Sequence, residues 1–216
     1  MFDNVRTVII NYQTPDLLTI AVESFRRYYP KERLLIIDNG SKDKSSHTIE
    51  KLEKITPDQT TSVRLESNIY HGPAMHHAMN IINEEMVLFL DSDTETKRGG
   101  FIENMLKEFE LSSKLYGIGQ ILSVNKRGFQ EPTGEQVLAP AYMMVRRNIY
   151  FELKPFEHHG LPVLINNMDA REKGYELKSF PIEKYIDHRW RGTASRYGYG
   201  LGWRGKKEFL LNKLGI

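Results

Sequence analysis

Residues 86–93, Met86-Val87-Leu88-Phe89-Leu90-Asp91-Ser92-Asp93, decide the fold. The apolar run is short for a helix and reads as a strand buried on both faces. It ends at two carboxylates one residue apart. The carboxyl ends of strands in an open α/β sheet are where ligands bind, so this pair is placed at a ligand edge. Two aspartates beside an apolar core repel each other; a divalent cation removes that cost and keeps positions open for phosphate oxygens. A turn capped by aspartates is the alternative reading of the same tripeptide.

The same pattern recurs on both sides. Residues 7–11 (TVIIN) read as a buried strand, followed by Thr14 as N-cap and Pro15 at the first helical position. Leu17, Leu18, Ala21, Val22 and Phe25 keep one face of that helix apolar. Residues 34–37 (LLII) form a second strand closed by Asp38-Asn39-Gly40-Ser41, and a helix with Ile49, Leu52 and Ile55 comes next. A weaker strand is expected near Val63 and Leu65, then a loop over 68–72 and a helix carrying Ala74, Met75, Ala78, Met79 and Ile82. Beyond the acidic tripeptide, Phe101, Ile102, Met105, Leu106 and Phe109 mark another amphipathic helix. Strand alternating with helix predicts an α/β fold with a mostly parallel, Rossmann-like sheet flanked by helices. Past Tyr116 the alternation loosens into strands near 117–122 and 141–145 and a helix over 161–173 ending at Gly174.

The 216 residues suit one domain over 1–216, and 40% hydrophobic with 27% charged residues excludes a disordered or membrane-embedded chain. No cysteine is present, which excludes disulfides, thiol catalysis and cysteine-held metals. The N-terminus lacks the pattern of a secretory signal, so a cytoplasmic location is expected. The formal charge of +2 is uneven: residues 188–216 carry seven basic residues against Glu208, leaving −4 for residues 1–187. A basic tail attracts phosphate, and its Phe209, Leu210, Leu211 and Leu214 with Lys206, Lys207 and Lys213 fit a short amphipathic helix. Docking on the core and peripheral contact with the cytoplasmic membrane face are the two readings of that helix.

Asp38 repeats the strand-end theme on the second strand, where a carboxylate can accept hydrogen bonds from a base imino group or ribose hydroxyl. With VIINYQTPDLL, LLIIDNGS and VLFLDSDT in this order and spacing, the chain resembles a GT-A fold glycosyltransferase of the large inverting family 2. The likeness is good over roughly residues 5–110 and holds only in outline beyond. It implies a nucleotide-sugar-binding half (1–115), an acceptor-side half (116–187) and a basic lid and tail (188–216).

The resemblance implies a donor site in which Tyr12 packs on the nucleotide base with Asn11 and Thr14 beside it, and Asp38 recognises the base, commonly uracil. Asp91, Ser92 and Asp93 match the Asp-x-Asp motif that ties ribose and diphosphate through Mn²⁺ or Mg²⁺. His188 matches a late histidine that becomes a further metal ligand; an imidazole favours manganese over magnesium. Arg191 and Arg196, in HRWRGTASR, suit a glycine-hinged lid over a diphosphate. His76 and His77 stand where relatives carry donor-contacting arginine or asparagine, and His76 is taken as the donor contact.

The Glu-Asp pair that often supplies the catalytic base is absent. Glu157, before an expected helix start, is the preferred substitute and Asp169, on the expected polar side of that helix, the second. The expected activity is metal-dependent transfer of a sugar from a nucleoside diphosphate sugar, a UDP-sugar first, to a hydroxyl of a glycan, lipid-linked or protein acceptor, in glycan or cell-surface polysaccharide synthesis; the resemblance implies inversion, and the missing base pair leaves retention open. A sugar-nucleotide pyrophosphorylase needs a glycine- and arginine-rich loop after the first strand, and Asn11-Tyr12-Gln13-Thr14-Pro15 offers none. A non-catalytic sugar- or nucleic-acid-binding module has no use for three aspartates at strand ends, so no nucleic-acid partner is expected.

Overall fold

Side chains that alternate along buried strands give the sheet two apolar faces, and each needs its own cover. In the computed structural model, which describes residues 2–157 and 161–188, both covers are helical. β1 (Val5–Asn11), β2 (Leu34–Asp38), β3 (Thr60–Arg64) and β4 (Met86–Asp91) are joined by α1 (Pro15–Tyr28), α2 (Ser45–Ile55) and α3 (His71–Ile81). Ile9, Ile36 and Leu88 face one core with Leu18 and Phe25 of α1 and Ile49 of α2. Val8, Ile37 and Phe89 face the other with Ala74, Met75 and Ala78 of α3.

β5 (Thr94–Thr96) and α4 (Phe101–Leu111) come next, then the long hairpin β6 (Leu115–Val124) and β7 (Glu135–Arg146). The described chain closes with α5 (Arg147–Tyr150), α6 (Leu164–Glu172), β8 (Glu176–Ser179), a 3₁₀ turn (Ile182–Lys184) and β9 (Ile186–His188). The main sheet runs β3-β2-β1-β4-β7-β6-β8, and β5 pairs with β9 in a separate two-stranded sheet. β1, β2, β3 and β4 are mutually parallel, whereas β7 runs antiparallel to β4 and β6. The mostly parallel α/β architecture is therefore as expected.

The registers Asn11↔Asp38 and Ile10↔Asp91 set the ends of β1, β2 and β4 level, so their polar residues share one edge. Ile55 departs from the expected stripe: it is the last residue of α2 and lies exposed. The expected helix over 161–173 is trimmed to Leu164–Glu172. Expectations for Arg191, Arg196, the lid and the amphipathic tail lie outside the described residues. Among the described residues no helix is long and apolar enough to cross a membrane.

Candidate active site

β4 delivers Asp91 as its last residue, and the turn beyond it carries Ser92 and Asp93. β5 starts at Thr94, which pairs with His188 across the small sheet. That pairing lays the imidazole over the turn: His188 Nε2 lies 3.1 Å from Asp93 Oδ1 and 3.9 Å from Asp91 Oδ2. One ligand atom each from Asp91, Asp93 and His188 falls within 4.8 Å of the others, a spacing that can hold a metal ion. Two carboxylates with one imidazole form a mixed oxygen and nitrogen donor set that suits a borderline divalent cation.

The electrostatics match. Burial pushes the Asp91 carboxyl up, and neighbouring Asp93 adds to this against the opposing pull of His71 and His188. Burial alone would lower His188, but the Asp93 hydrogen bond and the charges of Asp93 and Asp91 outweigh it and raise the imidazole. A cation would relieve the carboxylate repulsion and take the proton's place on the imidazole.

Asp38, almost fully buried, accepts a hydrogen bond from Asn11 Nδ2 at 3.2 Å. Its strand end is shaped by Gly40, whose φ of 73° is left-handed and whose backbone passes close against Ser67. Thr14 does occupy the N-cap position of α1, yet its hydroxyl makes no capping bond. It donates instead to Asn11 Oδ1 at 3.0 Å and lies 3.1 Å from Ser92 Oγ, because the strand ends on either side offer buried polar partners. Ser92 is accordingly buried and turned inward to Thr14. Tyr12 is half-buried beside this cluster, and Gln13, at φ 54°, donates its amide to Ser41 Oγ at 2.9 Å.

Two side chains expected at the site bond to partners elsewhere in the fold. His76 sits more than a turn into α3, with Nδ1 2.7 Å from Tyr150 Oη and Nε2 3.1 Å from Asn80 Nδ2, so its ring is committed to α3 and α5 rather than to the acidic group. Asp169 lies on no solvated face: it is buried, accepting from the Lys154 amide at 2.9 Å and Lys173 Nζ at 3.0 Å. Burial would raise its carboxyl, but those bonds hold it below its ordinary value, as befits a staple between α6 and the preceding loop. Glu157 is exposed, and its backbone abuts Gly72, the second residue of α3.

Two neighbours of the group were not expected from the sequence. His71 opens α3 and places Nε2 3.5 Å from Asp91 Oδ1. Its position is the signal: it stands a short loop beyond the end of β3, on the edge where β1, β2 and β4 also leave their polar residues. Tyr142, opposite Leu90 on β7, meets the His188 ring edge-to-face with centroids 5.8 Å apart. Its pairing with β4 is antiparallel and distant in sequence, and no local signal announces it.

Comparison with known proteins agrees with this geometry. The glycosyl transferase family 2 pattern matches residues 7–175, and the chain belongs to that family. No curated protein sequence matches the chain. Among solved structures, the mannosyltransferase PcManGT from Pyrobaculum calidifontis, in complex with GDP-Man and Mn²⁺, is similar with a TM-score of 0.69 at 14% identity, over 82% of this chain and 55% of that one. S. aureus TarS 1-349 is similar with a TM-score of 0.65 at 14% identity, over 97% and 65% of the two chains. The same TarS segment in complex with UDP-GlcNAc gives 0.62 at 15% identity, over 85% and 57%. The chain thus spans between about half and two thirds of these proteins' lengths, and at such identities the likeness establishes the GT-A fold.

Proposed function

We propose that this chain transfers a sugar from a nucleoside diphosphate sugar to an acceptor hydroxyl in a reaction that depends on a divalent cation. The observation that carries the proposal is the convergence of Asp91, Asp93 and His188 within 4.8 Å at the end of β4. It stands level with a second buried carboxylate, Asp38, at the end of β2.

Asp91, Asp93 and His188 would hold the cation, and Mn²⁺ is favoured because one ligand is an imidazole. When bound, it supplies positive charge against the diphosphate that leaves. Asp38 receives the donor groups of the base or ribose, and Tyr12 lies at the end of the neighbouring strand to cover the base. His71, beside Asp91 at the start of α3, faces the same edge and can donate to a phosphate or sugar oxygen. Arg191 and Arg196 are assigned to the diphosphate on the strength of the family resemblance. Glu157 is the proposed general base, since it is solvent-accessible next to the first turn of α3, whereas Asp169 is occupied as a staple.

A uracil nucleotide is the first donor to test, with guanine second, because the similar structures hold UDP-GlcNAc and GDP-Man. Attack by the acceptor oxygen opposite the departing diphosphate would invert the anomeric centre. The direct test is donor hydrolysis or transfer assayed over a panel of nucleotide sugars with and without Mn²⁺, with anomeric configuration read by NMR. Metal-dependent release of nucleoside diphosphate supports the proposal, and tight nucleic-acid binding with steep salt dependence and no turnover would replace it with a binding module.

A further inference from the structure

The ends of β1, β2 and β4 are joined by a continuous row of buried side chains. Asp38, Asn11, Thr14 and Ser92 are each at most 6% exposed. The direction of every hydrogen bond in the row is fixed by chemistry. Asn11 donates its Nδ2 to Asp38 Oδ1, at 3.2 Å, which turns its Oδ1 the other way. Thr14 then donates its single hydroxyl proton to that Oδ1, at 3.0 Å. Ser92, 3.1 Å from Thr14 Oγ1, must therefore be the donor to Thr14. All the dipoles point at Asp38, an arrangement in which each bond polarises the next. The far end of the row is the residue between Asp91 and Asp93.

We propose that Thr14 is a positioning residue that couples a nucleoside pocket at Asp38 to the cation group at Asp91 and Asp93. Thr14 itself is fully buried within the row. A group that donates to the Asp38 carboxylate fixes Asn11, through it Thr14, and through Thr14 the Ser92 hydroxyl between the two carboxylate ligands, Asp91 at the end of β4 and Asp93 in the turn beyond it. A cation that fixes the turn orders the same four side chains from the other end. Each ligand thus prepares the site for the other, and linkage makes the effect equal in both directions.

The inference rests on the nucleotide reading above. A nucleoside is the right probe because it lacks the diphosphate oxygens that would bridge to the cation. The experiment measures uridine affinity by calorimetry with and without saturating Mn²⁺, with guanosine used if guanosine diphosphate proves the tighter binder. In the wild-type chain Mn²⁺ should tighten nucleoside binding about fivefold. Thr14→Val keeps the volume but removes the hydroxyl and should bring the factor to near one, whereas Thr14→Ser should restore it. Ser92→Ala severs the row at its other end and should lose the coupling in the same way, which keeps the test decisive if Thr14→Val fails to fold.

A merely structural Thr14 would lower the melting temperature and leave the factor unchanged, and that result overturns the proposal. So does independent binding of nucleoside and Mn²⁺ to the wild-type chain that still binds the nucleoside diphosphate, in which case the donor reading stands. Binding of neither nucleoside nor nucleoside diphosphate overturns the donor reading and the coupling with it.

Discussion

Gly72→Ala sets two effects of opposite sign against each other at the edge of the site. Gly72 is the second residue of α3, where alanine gains about 0.5–1 kcal/mol of helix propensity over glycine. A Cβ at this position, however, would overlap the carbonyl carbon and oxygen of Glu157 and lie 3.0 Å from its nitrogen. To reach ordinary contact the two backbones must part by about 2 Å. The opposing segment cannot yield cheaply. Glu157 N donates to Pro162 O at 3.1 Å, Phe156 N donates to Tyr150 Oη at 3.2 Å, and the buried Phe156 ring packs on Tyr150 with centroids 4.7 Å apart. Overpacking of this kind costs about 1–3 kcal/mol, so the net expectation is destabilisation by about 1–2 kcal/mol. Because His71 precedes Gly72, the same displacement would draw its imidazole away from Asp91 and lower donor turnover. Urea unfolding monitored by circular dichroism measures the first effect, and donor hydrolysis the second. A variant more stable than wild type, as propensity alone requires, would refute the close packing of the Glu157 segment on α3.

Asp38→Ala should weaken binding of uridine diphosphate by about tenfold or more, the loss of a charged hydrogen-bond acceptor, and calorimetry showing unchanged affinity would remove Asp38 from the pocket. His188 is raised above its ordinary 6.5 although burial opposes this, because Asp93 and Asp91 hold its proton. The folded state therefore binds that proton more tightly than the unfolded chain, and the stability it contributes is full below pH 6.5 and lost as pH climbs through the raised value. Metal-free protein should melt lower at about pH 8 than at about pH 6, and His188→Gln should flatten that difference; an unaltered pH profile would contradict the His188–Asp93 contact. Glu84, buried just before the start of β4 and so at the opposite end of the sheet, takes Arg6 at 2.7 Å and Arg33 at 2.9 Å. Glu84→Ala should destabilise the fold by about 2 kcal/mol without changing nucleotide affinity, as chemical unfolding and calorimetry would show.

Legibility in the sequence tracks the range of the interactions. β1, β2 and β4 are buried on both faces, so each appears as an unbroken apolar run, and the polar residue that ends each run marks the ligand edge. Asp38, Asp91 and Asp93 are readable for that reason. His188 lies 95 residues from Asp93 and meets it only because β9 pairs with β5, two three-residue strands with no periodicity to read. Family resemblance alone points to it. Thr14 carries a strong capping signal, and tertiary partners override it. The partners of His76 and Asp169 are not legible because helical position cannot tell which group, the Tyr150 hydroxyl or the Lys154 amide, will claim a polar side chain.

The central claim is that Asp91, Asp93 and His188 form a cation site on which sugar transfer depends. Its most direct measurement is release of nucleoside diphosphate from the best donor sugar across a Mn²⁺ titration, in wild type and in Asp93→Asn, which keeps shape and removes a ligand charge. With this cation site, turnover should vanish with chelator, return with Mn²⁺, and fall about a hundredfold or more in a variant that melts as a folded protein. Turnover in Asp93→Asn at the wild-type rate, with the same metal dependence, would contradict it.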